Sequence, residues 1–253
     1  MFKVLLSPAK SIDVDALRLK NPTIPQFESY AEQLVFALKK KSPKELGALM
    51  SISEKLAEMN WTRFQNWKTV DSNSEYIQPV FAFTGEVFRG LDASSLNEDD
   101  INYAQESIRV LSGLYGILKP LDGILPYRLE MGTKYSSNKL NKNLYEFWGD
   151  RITDNLSSEL DENDTIINLA SQEYSKVIQL RRFSQPVITP VFKDYKNGKL
   201  KTIMMYAKKA RGSMARFIVQ NKIENIVDLR SFNTDSYSYD EKLSNDNDWV
   251  FIR

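Results

Sequence analysis

Short apolar runs closed by Ser, Gly or Pro alternate with longer stretches of helical apolar spacing along the chain. A chain of this kind must pair its strands into a sheet and cover that sheet with helices. Residues 2–6 stop at Ser7-Pro8 and read as a buried opening strand. Helical spacing follows over 27–38, after Ser42-Pro43 to Met50, and from Ser53 towards Trp67. Residues 76–83 predict a strand stopped at Gly85, 97–108 a capped helix, and 109–111 a short strand bounded by Ser112-Gly113. Residues 144–160 predict one amphipathic helix and 165–169 a buried strand. Asn197-Gly198 between the apolar runs 186–192 and 200–206 predicts a hairpin, residues 207–223 a helix, and 236–239 with 249–252 two closing strands. The order lacks a regular strand–helix–strand rhythm, a repeat or a linker. The expectation is a single α+β domain over residues 1–253, with a mixed β-sheet surrounded by helices.

Two absences bound the chemistry. Among 253 residues there is no His and no Cys. Ser–His–Asp and Cys–His triads, disulfides, thiol peroxidase chemistry, Cys/His zinc sites and cysteine-held iron–sulfur clusters are excluded. Acid–base work falls to Asp, Glu, Lys or Tyr, and a metal could be held only by oxygen ligands such as carboxylates and Tyr; the expectation is no cofactor and no metal site. No apolar run approaches the ~20 residues of a transmembrane helix, and the first residues lack the pattern of a signal peptide. The expected location is cytoplasmic, without a membrane partner.

Net charge is +1, unevenly spread. Residues 176–222 hold twelve basic side chains against the single acid Asp194, a balance of +11 that leaves −10 for the rest. Such a segment attracts phosphates, or it is a solvated surface neutralised by acidic neighbours. Within its helix, Ala207, Ala210, Met214, Phe217 and Ile218 share one apolar arc of about 100°. Lys208, Lys209 and Arg216 lie opposite, Arg211 and Lys222 at the edge, and Gly212 and Ser213 on the exposed side between the cations. A helical Gly costs roughly 1 kcal/mol against Ala, so Gly212 either marks a close approach of backbone or ligand or is simply tolerated on a solvated basic face.

Three further clusters carry polar chemistry. Ser7-Pro8-Ala9-Lys10 follows the first strand, and Asn168-Leu169-Ala170-Ser171-Gln172-Glu173 follows another; strand ends are common ligand positions. Ser112, Gly113, Tyr115 and Gly116 form a turn whose amides can face a phosphate. Tyr127, Arg128 and Glu130 place an aromatic, a cation and a carboxylate within four residues.

Taken together, these segments resemble the YaaA family of bacterial peroxide-stress proteins. The resemblance rests on Ser-Pro-Ala-Lys at 7–10, Phe-Thr-Gly-Glu-Val-Phe-Arg-Gly-Leu at 83–91 and Leu-Ser-Gly-Leu-Tyr-Gly-Ile-Leu-Lys-Pro-Leu-Asp at 111–122. It continues through Pro-Tyr-Arg-Leu-Glu-Met-Gly at 126–132, Leu-Tyr-Glu-Phe-Trp-Gly-Asp at 144–150, Asn-Leu-Ala-Ser at 168–171 and Tyr-Ala-Lys-Lys-Ala-Arg-Gly at 206–212. It covers essentially the whole chain and departs only in loops, chiefly residues 14–25 and the acidic tail. The resemblance implies a cytoplasmic protein that limits iron-driven damage under hydrogen peroxide. It also implies double-stranded DNA binding in a basic cleft, with a helix-hairpin-helix-like element placed here on residues 112–118.

Two functions remain open at this point. In the first, Lys10, Arg128, Lys208, Lys209, Arg211 and Arg216 contact phosphates while Ser112, Gly113 and Gly116 supply backbone donors. In the second, Ser7, Tyr115, Tyr127, Glu130, Asn168, Ser171 and Glu173 orient a nucleobase, nucleotide or other anionic small molecule for catalysis.

Overall fold

The computed structural model describes residues 1–69, 76–135 and 142–253. The chain opens with β1 (Phe2–Leu6) and β2 (Ser11–Ile12), then α1 (Glu28–Leu38), α2 (Pro43–Met50), α3 (Glu54–Gln65) and the single turn α4 (Pro79–Ala82). There follow β3 (Phe83–Thr84), α5 (Glu86–Leu91), α6 (Glu98–Ser107), β4 (Ile108–Ser112), β5 (Gly116–Leu118), α7 (Leu144–Trp148) and α8 (Arg151–Ser158). The remainder is β6 (Thr165–Asn168), α9 (Gln172–Ser175), β7 (Val187–Lys196), β8 (Lys199–Lys201), α10 (Met204–Asn221), β9 (Ser238–Tyr239) and β10 (Asp248–Ile252).

Eight strands make one mixed sheet in the order β5-β4-β1-β6-β7-β10-β9, with β8 paired to β7. The central strands β4, β1, β6, β7 and β10 run parallel, so their carboxyl ends share one edge. All five residues of β1 are buried, as a strand flanked by parallel neighbours requires. The mixed sheet with helices is the architecture that the irregular strand–helix order predicts. Ser42 caps α2 in a reciprocal box: its hydroxyl accepts from the Glu45 amide at 3.3 Å, and the Glu45 carboxylate accepts from the Ser42 amide at 2.8 Å. Among the described residues no helix is long and apolar enough to cross a membrane.

Four expectations need correction. Residues 76–83 are not a strand: Pro79 starts a helical turn, and only Phe83 and Thr84 pair, with β2. The helix expected over 144–160 is two helices, because Gly149 turns the backbone to φ +50° between α7 and α8. Residues 112–118 do not have helices as flanks. They are the end of β4, a turn and β5, paired Ser112 to Gly116 and Val110 to Leu118. Gly212 and Ser213 are buried, because α5 covers the face of α10 that the sequence leaves to solvent.

On the β4–β5 side, Asp122 is buried and accepts from the Thr23 hydroxyl at 2.6 Å and the Lys119 amide at 2.7 Å. Burial outweighs both bonds and pushes its carboxyl up to about 6. A carboxyl raised above its unfolded value favours the folded state below pH ~4 and loses that contribution as pH rises through about 6. The stability of wild type minus that of Asp122→Asn should therefore fall by roughly 1–3 kcal/mol from pH 4 to 7 in urea unfolding. A difference that stays flat or rises contradicts this burial.

Candidate functional site

The path from β1 leads to β4 on one side, whereas β6 lies on the other side of β1 and leads on to β7. Where neighbouring parallel strands send their connections in opposite directions, a crevice opens beyond their carboxyl ends. Here it holds residues 7–11 after β1 and Ser171, Glu173 and Tyr174 after β6. Thr84 of β3, Gly85, and Glu86 and Arg89 of α5 close it on one side, and Lys208 and Arg211 of α10 on another. The crevice encloses about 350 Å³. A second, more open cavity of about 700 Å³ adjoins it, sharing Lys10 and Glu173 and adding Arg128, Glu130, Gly132 and Lys134. Together they form a groove with six cations (Lys10, Arg89, Arg128, Lys134, Lys208, Arg211) against three carboxylates (Glu86, Glu130, Glu173).

Each carboxylate is held. Glu130 bridges Lys10 at 2.5 Å and Arg128 at 2.9 Å, and the Lys10 side chain stays 62% exposed on the rim. The Arg128 Nε is buried with no partner. Glu173 accepts from the Gly132 amide at 2.9 Å, and Glu86 pairs with Arg89 at 2.6 Å. The hydroxyl of Ser7 donates to that of Ser171 at 3.2 Å and accepts from the Ser171 amide at 2.8 Å, tying the two strand ends together. Arg211 is largely desolvated, and burial pushes its guanidinium below the usual range. Among the described residues neither Arg211 nor Lys208 has a hydrogen-bond or ion-pair partner.

The other cations of α10 are placed differently. Lys209 pairs with Asp235 at 3.1 Å. Arg216 donates to the carbonyls of Leu91 and Asp92 at 3.0 and 2.7 Å, so it closes the carboxyl end of α5. Neither lines the groove.

The glycine turn serves packing. Two of the turn amides, of Leu114 and Tyr115, donate to the Ser112 hydroxyl, and residues 112–116, Gly113 and Gly116 included, are all buried. These amides are therefore not open to a phosphate. A side chain at Gly113 would lie 2.3 Å from the Leu129 carbonyl oxygen, so this glycine lets the irregular segment carrying Glu130 lie against the turn. Gly116 packs over Trp148 in the same way. Tyr127 shares a 2.6 Å hydrogen bond with Ser112, and Tyr115 accepts from the Trp67 indole at 2.8 Å. Burial pushes both phenols well above their usual range. Asn168 is buried, accepts from the Ala170 amide at 3.3 Å and donates to Thr189 at 3.4 Å. Of the residues expected to orient a ligand, Ser7, Ser171, Glu173 and Glu130 face the groove, while Tyr115, Tyr127 and Asn168 support it from within, as does Ser112, expected instead as a phosphate donor.

Residues 84–89 line the crevice, although the sequence marks them only as part of the 83–91 family motif and gives them no site role. The available signal was Thr-Gly-Glu after an apolar run: Gly85 adopts φ +151° and brings the start of α5 against Ala9.

The family model of the peroxide stress protein YaaA matches residues 2–243. A UPF0246 protein of Idiomarina loihiensis is 47% identical over 252 residues, covering 98% of this chain and 97% of its own length. A UPF0246 protein of Burkholderia cenocepacia is 45% identical over 255 residues, covering 99% and 98%. One from Aliivibrio fischeri is 46% identical over 253 residues, covering 99% and 97%. A match of this extent, on both the family model and full-length relatives, places the chain in the family of the peroxide stress protein YaaA.

Proposed function

We propose that the protein acts in the cytoplasm under peroxide stress by binding double-stranded DNA along the cationic groove, which limits iron-driven damage to the bound duplex. The observation that carries this reading is the convergence of Lys10, Lys208 and Arg211 from two distant segments on one groove with an excess of positive charge. Phosphate neutralisation by such side chains releases counterions, so affinity is non-specific and falls steeply with salt. Lys10, Lys208, Arg211, Arg128 and Lys134 are the phosphate contacts; Lys209 and Arg216 are not.

A second reading has its own support. Ser7, Ser171, Glu130 and Glu173 supply more mixed polar chemistry than phosphate tracking needs, and a strand-end crevice suits an oriented anionic small molecule. Glu130→Gln separates the two. The change frees Lys10 and Arg128 from their shared carboxylate, so duplex affinity measured by fluorescence anisotropy should hold or rise by a few fold, remaining salt-dependent. Loss of a turnover with duplex affinity intact would instead assign Glu130 an acid–base role, which typically supplies ~100-fold or more in rate.

A further inference from the structure

The groove is not uniform. Its wider part can lie along a backbone, but the crevice between β1 and β6 encloses only about 350 Å³. That volume is too small to admit a whole duplex, which reaches Lys208 and Arg211 only with a phosphate at the mouth, and it falls in the range of roughly 300–1,000 Å³ typical of small-ligand sites. Arg211 and Lys208 enter it without partners, whereas Lys10, Arg89, Lys209 and Arg216 are each paired. A desolvated guanidinium without a counter-charge is costly to keep, so the crevice is built for an anion that arrives with the ligand.

The surrounding groups narrow the anion. The Ser171 hydroxyl accepts from Ser7 and keeps its own proton for a ligand, and Ser11 and Thr84 add hydroxyls at the same opening. Pro8, Ala9, Val87, Phe88 and Tyr174 form an apolar wall beside them. Two cations with hydroxyl donors match the nearly doubled charge and three free oxygens of a phosphate monoester better than the single charge of a backbone diester. The apolar wall suits the flat, less polar remainder of one nucleotide.

We infer that the crevice is a pocket for a terminal phosphomonoester of a nucleotide, held by Arg211 and Lys208 with the Ser171 hydroxyl donating. The phosphate comes from a 5′-phosphorylated DNA strand end or from a free mononucleotide; the inference rests on the DNA-binding reading only for the first source.

The test measures affinity for a short blunt duplex with 5′-phosphate against the same duplex with 5′-hydroxyl. In parallel, a free 5′-mononucleotide and the matching nucleoside are titrated by calorimetry. A preference of about tenfold for the phosphorylated end is expected, the size of one good charge-assisted contact. The mononucleotide should bind at one site and the nucleoside should not. Arg211→Gln should erase the ratio between the two ends and the mononucleotide binding, and Lys208→Gln, on an exposed position, should do the same if the first variant is poorly folded. A preference for ends without mononucleotide binding assigns the pocket to strand ends. Mononucleotide binding without any duplex affinity supports the pocket and removes the DNA-binding reading. Equal affinity for both ends with no saturable mononucleotide binding overturns the inference, as does equal binding of mononucleotide and nucleoside, or a preference that survives both variants.

Discussion

Gly212→Ala should lower the melting temperature by roughly 6–12 °C, corresponding to about 3 kcal/mol in a chain of this size. A Cβ at position 212 would lie 1.7 Å from the Val87 carbonyl oxygen and 2.8 Å from the Leu91 amide nitrogen. The contact is reciprocal: a Cβ on Gly90 would lie 2.2 Å from the Lys209 carbonyl oxygen and 2.7 Å from the Ser213 amide nitrogen. Helices α5 and α10 therefore meet backbone to backbone. No side chain can rotate away to make room, so the helices must separate, and interiors at normal packing density do not absorb such a shift. Gly47→Ala is the matched control, since its Cβ would make an ordinary 3.4 Å contact with Ala57. There the gain in helix propensity, up to about 1 kcal/mol, should leave stability unchanged or slightly raised. The same crossing sets the width of the crevice, because α5 carries Glu86 and Arg89 and α10 carries Lys208 and Arg211. Thus any folded Gly212→Ala protein should also bind anions more weakly. A wild-type melting temperature for this variant would contradict the backbone-to-backbone crossing.

The parts of the fold that local rules decide were legible in the sequence. The apolar run at 2–6, the Ser42-Pro43 cap and the Asn197-Gly198 hairpin each follow from spacing or turn chemistry within a few residues. The buried faces of α10 differ from the helical-wheel expectation for a tertiary reason. A helical wheel separates apolar from polar sides, but α10 packs against both β7 and α5, and its second buried face is made of small residues. Gly212-Ser213 side by side is the trace such a crossing leaves. Gly113 shows the same limit: the pair of glycines marks a close approach, but only the fold shows that Leu129 and Glu130 are what approaches.

Within the groove, the residue types at strand ends were readable, while their convergence depended on strand order. Ser7 and Ser171 are 164 residues apart and meet because β1 and β6 are parallel neighbours. Charge was harder to read. Lys209 and Arg216 look as available as Lys208 in sequence, yet Asp235 neutralises the first and the end of α5 engages the second, 124 and 125 residues away. Which cation is free is a property of tertiary pairing.

The second large effect follows from which cations line the groove: Lys10, Lys208 and Arg211 do, and Lys209 and Arg216 do not. Replacing Lys10, Lys208 and Arg211 together with Gln should cut duplex affinity about 100-fold at low salt, while the fold persists because none of the three lies in the hydrophobic core. The decisive measurement is the slope of log affinity against log salt for wild type, this triple variant and Lys209→Gln/Arg216→Gln, on one duplex. Loss of three phosphate contacts should flatten the slope by about 3, and the double variant should keep the wild-type slope. A triple variant with wild-type slope and affinity, beside a double variant that loses both, would move the DNA-binding surface away from the groove and contradict the account.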